Sequence, residues 1–137
     1  MINVLVVDGY PLVREGLHRV VSHTGDLVIA GEAVSMEEVL IHVHGGSVDV
    51  VVLEMHGGDT CGFQILQRLR DERSDLPVLV VSFLPEEHYG LRVLQLGAAG
   101  YVSKAEYPNT IVDAIRMVAR GRKYASAYLS QKLMQNL

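Results

Sequence analysis

The sequence predicts an α/β domain built on a five-stranded parallel sheet with helices on both faces. Two observations carry this. Five short runs rich in β-branched residues recur along the chain, and each is separated from the next by a stretch of helical periodicity. Strands joined by crossover helices run parallel, with right-handed connections that place helices on both sides of the sheet.

The first run, "NVLVV" at 3–7, leads to a helix over 11–23 that opens with Pro11, whose fixed φ suits a first turn. The second run, "LVIAGEA" at 27–33, precedes a helix over 35–44. In "SMEE", Ser35 stands as N-cap with Glu38 three residues on, the spacing of a capping box. "DVVVL" at 49–53 is a continuous apolar strand of the kind buried on both faces, and a helix over 62–72 follows. "PVLVVS" at 77–82 and a helix over 86–96 come next, with Gly97 as its stop. "GYVS" at 100–103 is the last strand, and Pro108 opens a final helix over 109–120 that Gly121 ends. That helix carries Ile111, Val112, Ile115, Val118 and Ala119, an apolar stripe explained by packing on the sheet.

The 137 residues are 49% hydrophobic and 20% charged, enough for one domain with a real core. A net charge of −4 leaves no electrostatic footprint for nucleic acid or membrane in this segment. One cysteine, Cys61, allows no internal disulfide, and Met1-Ile2 runs straight into a strand pattern without a signal peptide. No apolar run approaches the roughly 18 residues of a membrane span. A cytoplasmic, soluble protein is expected.

In a doubly wound sheet the working groups gather at the carboxyl ends of the strands. There the sequence places Asp8-Gly9 after the first strand, Glu54 after the third, Ser82 after the fourth and Lys104 after the fifth. Each residue alone has an ordinary explanation as a loop or cap residue. Together they form a polar constellation that one fold rule makes neighbours.

"VLVVDGYPLVREGL", the acid after the third strand with Gly62 eight residues on, "VLVVS" and "LGAAGYVSK" together resemble the receiver domain of two-component response regulators. The likeness is greatest to the NarL/FixJ type, whose receivers precede a LuxR-type helix-turn-helix DNA-binding domain. It implies the flavodoxin-like receiver fold with strand order 2-1-3-4-5. It covers residues 1–122, and 123–137 resemble the start of a linker helix toward a DNA-binding domain outside this chain. In that family two acids after the first strand and an aspartate after the third hold Mg²⁺, and the latter aspartate accepts a phosphoryl group from a histidine kinase. By this resemblance Asp8 matches the first acid, Ser82 the switch hydroxyl, Tyr101 the switch aromatic and Lys104 the lysine that contacts phosphoryl oxygens. Gly9 stands where the second acid should be, Glu54 where the acceptor aspartate should be, and Gly57-Gly58 where the family has Met-Pro.

These departures have physical consequences. Mg²⁺ needs near-octahedral oxygen geometry, and Gly9 supplies no ligand. Glu54 is one methylene longer than aspartate, which moves its oxygens by about 1.5 Å. Displacements of about 1 Å can cost on the order of a hundredfold in rate, and phosphoryl transfer rests almost wholly on positioning and charge neutralisation. Little or no phosphorylation is expected at Glu54, with weak or absent Mg²⁺ binding and a metal-free ion pair between Glu54 and Lys104. Two readings of Glu54 stay open: a partial phosphate mimic that draws in Ser82 and Tyr101, or a partner of Lys104 that holds the resting state.

The sequence thus points to an atypical receiver that acts by protein contact rather than as an enzyme. Its partners would be a histidine kinase, its own DNA-binding domain or a second copy, and DNA only through that further domain. Two alternatives remain. One is a conventional phosphoacceptor at Glu54 or Asp59; the other is a small-ligand sensor using the altered pocket. His42 and His44 face apart at helical spacing and make poor joint metal ligands. His56 follows Glu54 and stands ready to donate a hydrogen bond to it, whereas Cys61 reads as a small helix-start residue without a catalytic partner. "LGAAG" lies between a helix and a strand, the reverse of a dinucleotide fingerprint. A flavodoxin-like cofactor binder is disfavoured because "DGYPLVRE" offers no phosphate-cradling run. Arg116 and Arg120 are left for a partner surface, and Leu129, Leu133 and Leu137, at spacing four, for a helix packing on its neighbour.

Overall fold

Each predicted strand pairs in parallel with its neighbours, so the alternation read from the sequence becomes a single sheet. In a computed structural model, which describes residues 1–56, 61–106 and 108–136, the strands are β1 (Ile2–Val7), β2 (Leu27–Ala33), β3 (Val50–Leu53), β4 (Val78–Ser82) and β5 (Gly100–Ser103). Their order is β2-β1-β3-β4-β5 and every pairing is parallel. The helices are α1 (Pro11–Ser22), α2 (Met36–Gly45), α3 (Gly62–Glu72), α4 (Glu86–Gln95), α5 (Pro108–Ala119) and α6 (Ala127–Gln135). Asp59, the Gly57-Gly58 pair and Leu137 lie outside the described residues.

Strand alternation divides the core into two layers. Val4, Val6, Val50, Val52 and Val81 face α1 and α5, where Leu17, Val21, Ile111, Ile115 and Val118 meet them. Leu5, Val7, Val51, Leu53 and Val80 face the other way, toward Val39 and Val43 of α2, Ile65, Leu66 and Leu69 of α3 and Val93 of α4. β3 is buried on both faces, which is why its sequence does not alternate. Each such side chain contributes about 1.5–3 kcal/mol, so a charge placed at Val52 would be enough to unseat the central strand.

Local chemistry sets the boundaries. Ser35 Oγ accepts the Glu38 amide at 3.2 Å, and Glu38 Oε1 accepts the Val34 amide at 3.0 Å. The reciprocal carboxylate bond therefore goes one residue earlier than in a capping box on Ser35. α5 includes Pro108 in its first turn, one residue before the expected start. β3 starts one residue later than expected; just before it, Asp49 donates its amide to Asn3 O and accepts the Asn3 amide on its carboxylate, each at 2.8 Å. Gly97 and Gly121 follow α4 and α5 with φ of +104° and +81°, values that other residues rarely adopt.

The tail returns along the sheet edge. Tyr124 forms a parallel bridge with Gly100, its amide donating to Ala99 O at 2.9 Å while the Tyr101 amide donates to Tyr124 O at 3.3 Å. Extended pairing at Tyr124 delays the expected helix to Ala127, where Ser126 caps it by accepting the Leu129 amide at 3.2 Å. α6 then lies on α4 with Leu129 fully buried in the core. Among the described residues no helix is long and apolar enough to cross a membrane.

Candidate functional site

The ends of β1, β3 and β5 converge on one buried cluster. Ladder bonds continue past the strands: the Glu54 amide donates to Val7 O and the Lys104 amide to Ser82 O, each at 2.9 Å. Gly62 sits so close to the Met55 backbone that a Cβ there would lie 2.5 Å from Met55 Cα. Only glycine lets α3 begin directly beneath Glu54.

Lys104 Nζ stands 2.7 Å from both Asp8 Oδ2 and Glu54 Oε1. All three side chains are buried to within 4% of full enclosure. At this separation both contacts are close, buried ion pairs within charge-assisted hydrogen-bonding distance. The remaining carboxylate oxygens are also occupied. Asp8 Oδ1 accepts the Tyr10 amide at 2.8 Å, and Glu54 Oε2 accepts the Met55 amide at 2.6 Å and the His56 amide at 3.3 Å. Two carboxylates and one ammonium leave a net charge of −1 inside the domain.

Two aromatic rings close the mouth. Tyr10 and Phe83 each place the ring centroid 4.9 Å from Lys104 Nζ, within cation–π range. Their outer faces remain in solvent. Sequence reasoning missed both residues. The available signal was their position, each being one or two residues after a strand-end group, in "DGY" and "SF".

Ser82 and Tyr101 form a second group beside the first. Ser82 Oγ accepts the Leu84 amide at 3.1 Å, and the buried Tyr101 hydroxyl donates to Leu84 O. Burial pushes the Tyr101 phenol up to about 12; the Ser82 hydroxyl pulls it down, and the charges of Glu54, Glu86 and Glu87 add to the rise. Leu84, which the sequence did not single out, thus has both backbone groups held by site residues.

Other expectations resolve separately. His56 approaches Glu54 through its amide and not its ring. Cys61 is exposed at the N-cap of α3. His44 pairs with Glu72 at 3.1 Å while the His42 ring packs on Gly31, so the two do not converge. Arg116 bonds both carboxylate oxygens of Asp26, at 2.8 and 2.9 Å, and holds the Asp26 carboxyl below its usual range. The helical face of α5 points Arg116 toward the loop before β2, and Asp26 supplies the matching fork. Arg120 remains exposed.

Residues 4–116 match the response regulator receiver domain. The chain belongs to that family. Among its relatives it is 35% identical over 134 residues to the response regulator GacA of Pseudomonas protegens, an alignment covering 98% of this chain and 63% of the relative. It is 32% identical over 133 residues to the response regulator UvrY of Escherichia coli, covering 97% of this chain and 61% of the relative. The chain therefore spans about three fifths of these relatives' length. A solved receiver domain of the putative response regulator NarL from Mycobacterium tuberculosis is 33% identical, with a TM-score of 0.76 and coverage of 88% of this chain and 98% of that one. A LuxR-family two-component response regulator from Aurantimonas sp. SI85-9A1 has the same fold, with a TM-score of 0.85 at 24% identity over 98% of this chain and 96% of that one. The resemblance to NarL/FixJ-type receivers and the strand order it implied both hold.

Receivers of this family use Mg²⁺, and the donor set of this one does not fit it. Gly9 offers no side-chain oxygen, and all four oxygens of Asp8 and Glu54 already face Lys104 or a backbone amide. Octahedral coordination would require most of these contacts to be surrendered.

Proposed function

We propose that this receiver signals through protein contacts with an acid site that is a fixed, metal-independent ion triad, and that Mg²⁺-dependent phosphorylation of Glu54 is impaired or absent. The observation that carries this reading is the equal 2.7 Å approach of Lys104 Nζ to Asp8 and Glu54. A lysine committed to two carboxylates is not free to meet phosphoryl oxygens. A glutamate whose two oxygens are engaged by an ammonium and backbone amides is a poor nucleophile, and the Tyr10 and Phe83 rings narrow the approach to it.

Of the two readings of Glu54, pairing with Lys104 is favoured over mimicry of a phosphate. Among the described residues Ser82 and Tyr101 turn to Leu84 and not to Glu54. A buried ion pair of this kind gives little net stability and serves as a conformational device. The domain is thus a pseudo-receiver, a non-enzymatic part of a cytoplasmic transcription regulator. Its partners are a DNA-binding domain in the same protein, a second copy, or a histidine kinase that docks without durable transfer. It has no membrane role, and it reaches DNA only through the further domain.

The deciding experiment treats the chain with acetyl phosphate and Mg²⁺ and measures its intact mass, while amide shifts are followed by NMR. The expected result is no acyl-phosphate adduct and no Mg²⁺-dependent shift at Asp8. A stoichiometric adduct on Glu54 or Asp59 would overturn the reading.

A further inference from the structure

Helices α1 and α5 cover the same face of the sheet, and each starts at the carboxyl end of a strand, so they run side by side in one direction. Their far ends are tied, because Arg116 of α5 holds both oxygens of Asp26 in the loop that follows α1. Their near ends part. A cleft of about 200 Å³ opens there between Val13, Leu17 and Val20 of α1 and Ile111 of α5, with Val81 of β4 in its lining. Gly16 stands on the same face of α1 as those three residues. A Cβ at Gly16 would meet nothing within 4 Å and its backbone is helical, so neither packing nor conformation requires a glycine there. Glycine weakens a helix interior, and here it leaves one wall of the cleft cut low.

Phe83, Lys104 and Glu106 stand at the mouth. Phe83 is 63% exposed although its ring centroid lies 4.9 Å from Lys104 Nζ, so most of an aromatic surface is left uncovered beside the acid site. The charges select against ions of both signs. An anion would meet Glu106 and the net −1 of the triad. A cation would shed its water among valines, with the Lys104 ammonium and not the triad's carboxylates on the cleft wall.

We propose that this cleft is a binding site for a small neutral aromatic molecule of one or two rings, seated beside Gly16 and packed on Phe83. The volume sets the size: an apolar cavity of about 150 Å³ holds a benzene ring. The exposed ring of Phe83 sets the kind, since aromatic pairs gain from offset or edge contact beyond the area that they bury. A donor on the ligand finds an acceptor in the Glu106 carboxylate on the rim. Occupancy covers Phe83 and so shields Lys104 from water. The bound molecule lies next to the ion triad, not in it, and displaces none of its contacts. The site therefore goes beyond the fixed-triad reading and does not depend on whether Glu54 can be phosphorylated.

The test is NMR titration of the intact 137-residue chain with indole, a neutral two-ring probe carrying one N–H, and with benzoate and benzylammonium as charged aromatic probes. Indole should give saturable shifts at Val13, Leu17, Ile111 and Phe83, NOE contacts to the methyl groups of Val81 and Ile111, and slower exchange of the Lys104 ammonium protons. Benzoate and benzylammonium should bind at least about tenfold more weakly, because each must bury a charge. Gly16→Leu fills the low wall: it improves α1 as a helix and should weaken indole at least about tenfold, the order set by surplus methylenes in an apolar pocket. Gly16→Ala, whose Cβ has open space, should act in the same direction to a smaller extent and serves if Gly16→Leu folds poorly. The proposal is overturned if the indole shifts fail to saturate or scatter over the whole surface, if a charged probe binds as tightly, or if indole affinity is unchanged in the Gly16 variants. Self-association through α1 and α5 that excludes indole would give the cleft to a second copy and overturn it as well. None of these readouts involves phosphorylation, so their failure would leave the mass-spectrometric result on Glu54 untouched.

Discussion

Lys104 Nζ keeps the same 2.7 Å distance to Glu54 Oε1 as to Asp8 Oδ2, so the glutamate takes an equal share of a buried ammonium. In a site with three acids, a divalent cation would supply the neutralising charge. Here two carboxylates share the positive charge of Lys104 within the chain.

Lys104→Met leaves Asp8 and Glu54 buried with no cation between them. Breaking one partner out of a buried pair typically costs about 3–5 kcal/mol. Urea denaturation should show a loss of that order, and a loss below about 1 kcal/mol, the range of exposed pairs, would mean that the triad is solvated.

The double variant Gly9→Asp with Glu54→Asp restores a third acid and shortens the acceptor. Mg²⁺ titration followed by NMR should then give saturable shifts near Asp8, whereas the unaltered chain gives none. Acetyl phosphate should yield an aspartyl adduct in the double variant only. Restoring one position alone should give a smaller effect, because ligand number and oxygen placement act on the same step.

Tyr101 ties stability to alkaline pH. Burial raises its phenol from 10.0 to about 12, so between those values the unfolded chain gives up a proton that the folded chain keeps. Stability from this group is complete below pH 10 and falls as pH rises toward 12. Denaturation measured across that window should show the decline, and Tyr101→Phe should flatten it.

Tyr10→Ala and Phe83→Ala each remove one ring from over Lys104. A cation–π contact at an exposed edge is worth about 0.5–1 kcal/mol, so each loss of stability should be modest. The more telling measurement is exchange of the Lys104 ammonium protons by NMR, which should accelerate in both variants and most in the double one. Unchanged exchange would mean that the rings do not close the site.

Much of this architecture was legible before any coordinates. Uninterrupted valines in "DVVVL" require a strand covered on both faces, and "SMEE" placed the start of α2 because its cap is local chemistry. Asp8, Glu54, Ser82 and Lys104 followed from the rule that a doubly wound sheet gathers its strand ends. The pairing of Arg116 with Asp26 was not legible, since Asp26 is 90 residues distant and nothing local announces it.

The sequence by itself determined the sheet, its helices and the four strand ends that carry the site, because periodicity and capping act over a few residues and the topology then has one favoured hand. It also placed Gly9 and Glu54 at the two positions where the family it resembles carries acidic and aspartate residues, since residue identity is written in the sequence. Only the tertiary structure decided that Lys104 divides itself between two acids, that Tyr10 and Phe83 close over it, and that Leu129 seats in the notch at Gly90. Those contacts join residues far apart in the chain. Their geometry depends on distances of a few ångströms set by packing, which no local pattern encodes.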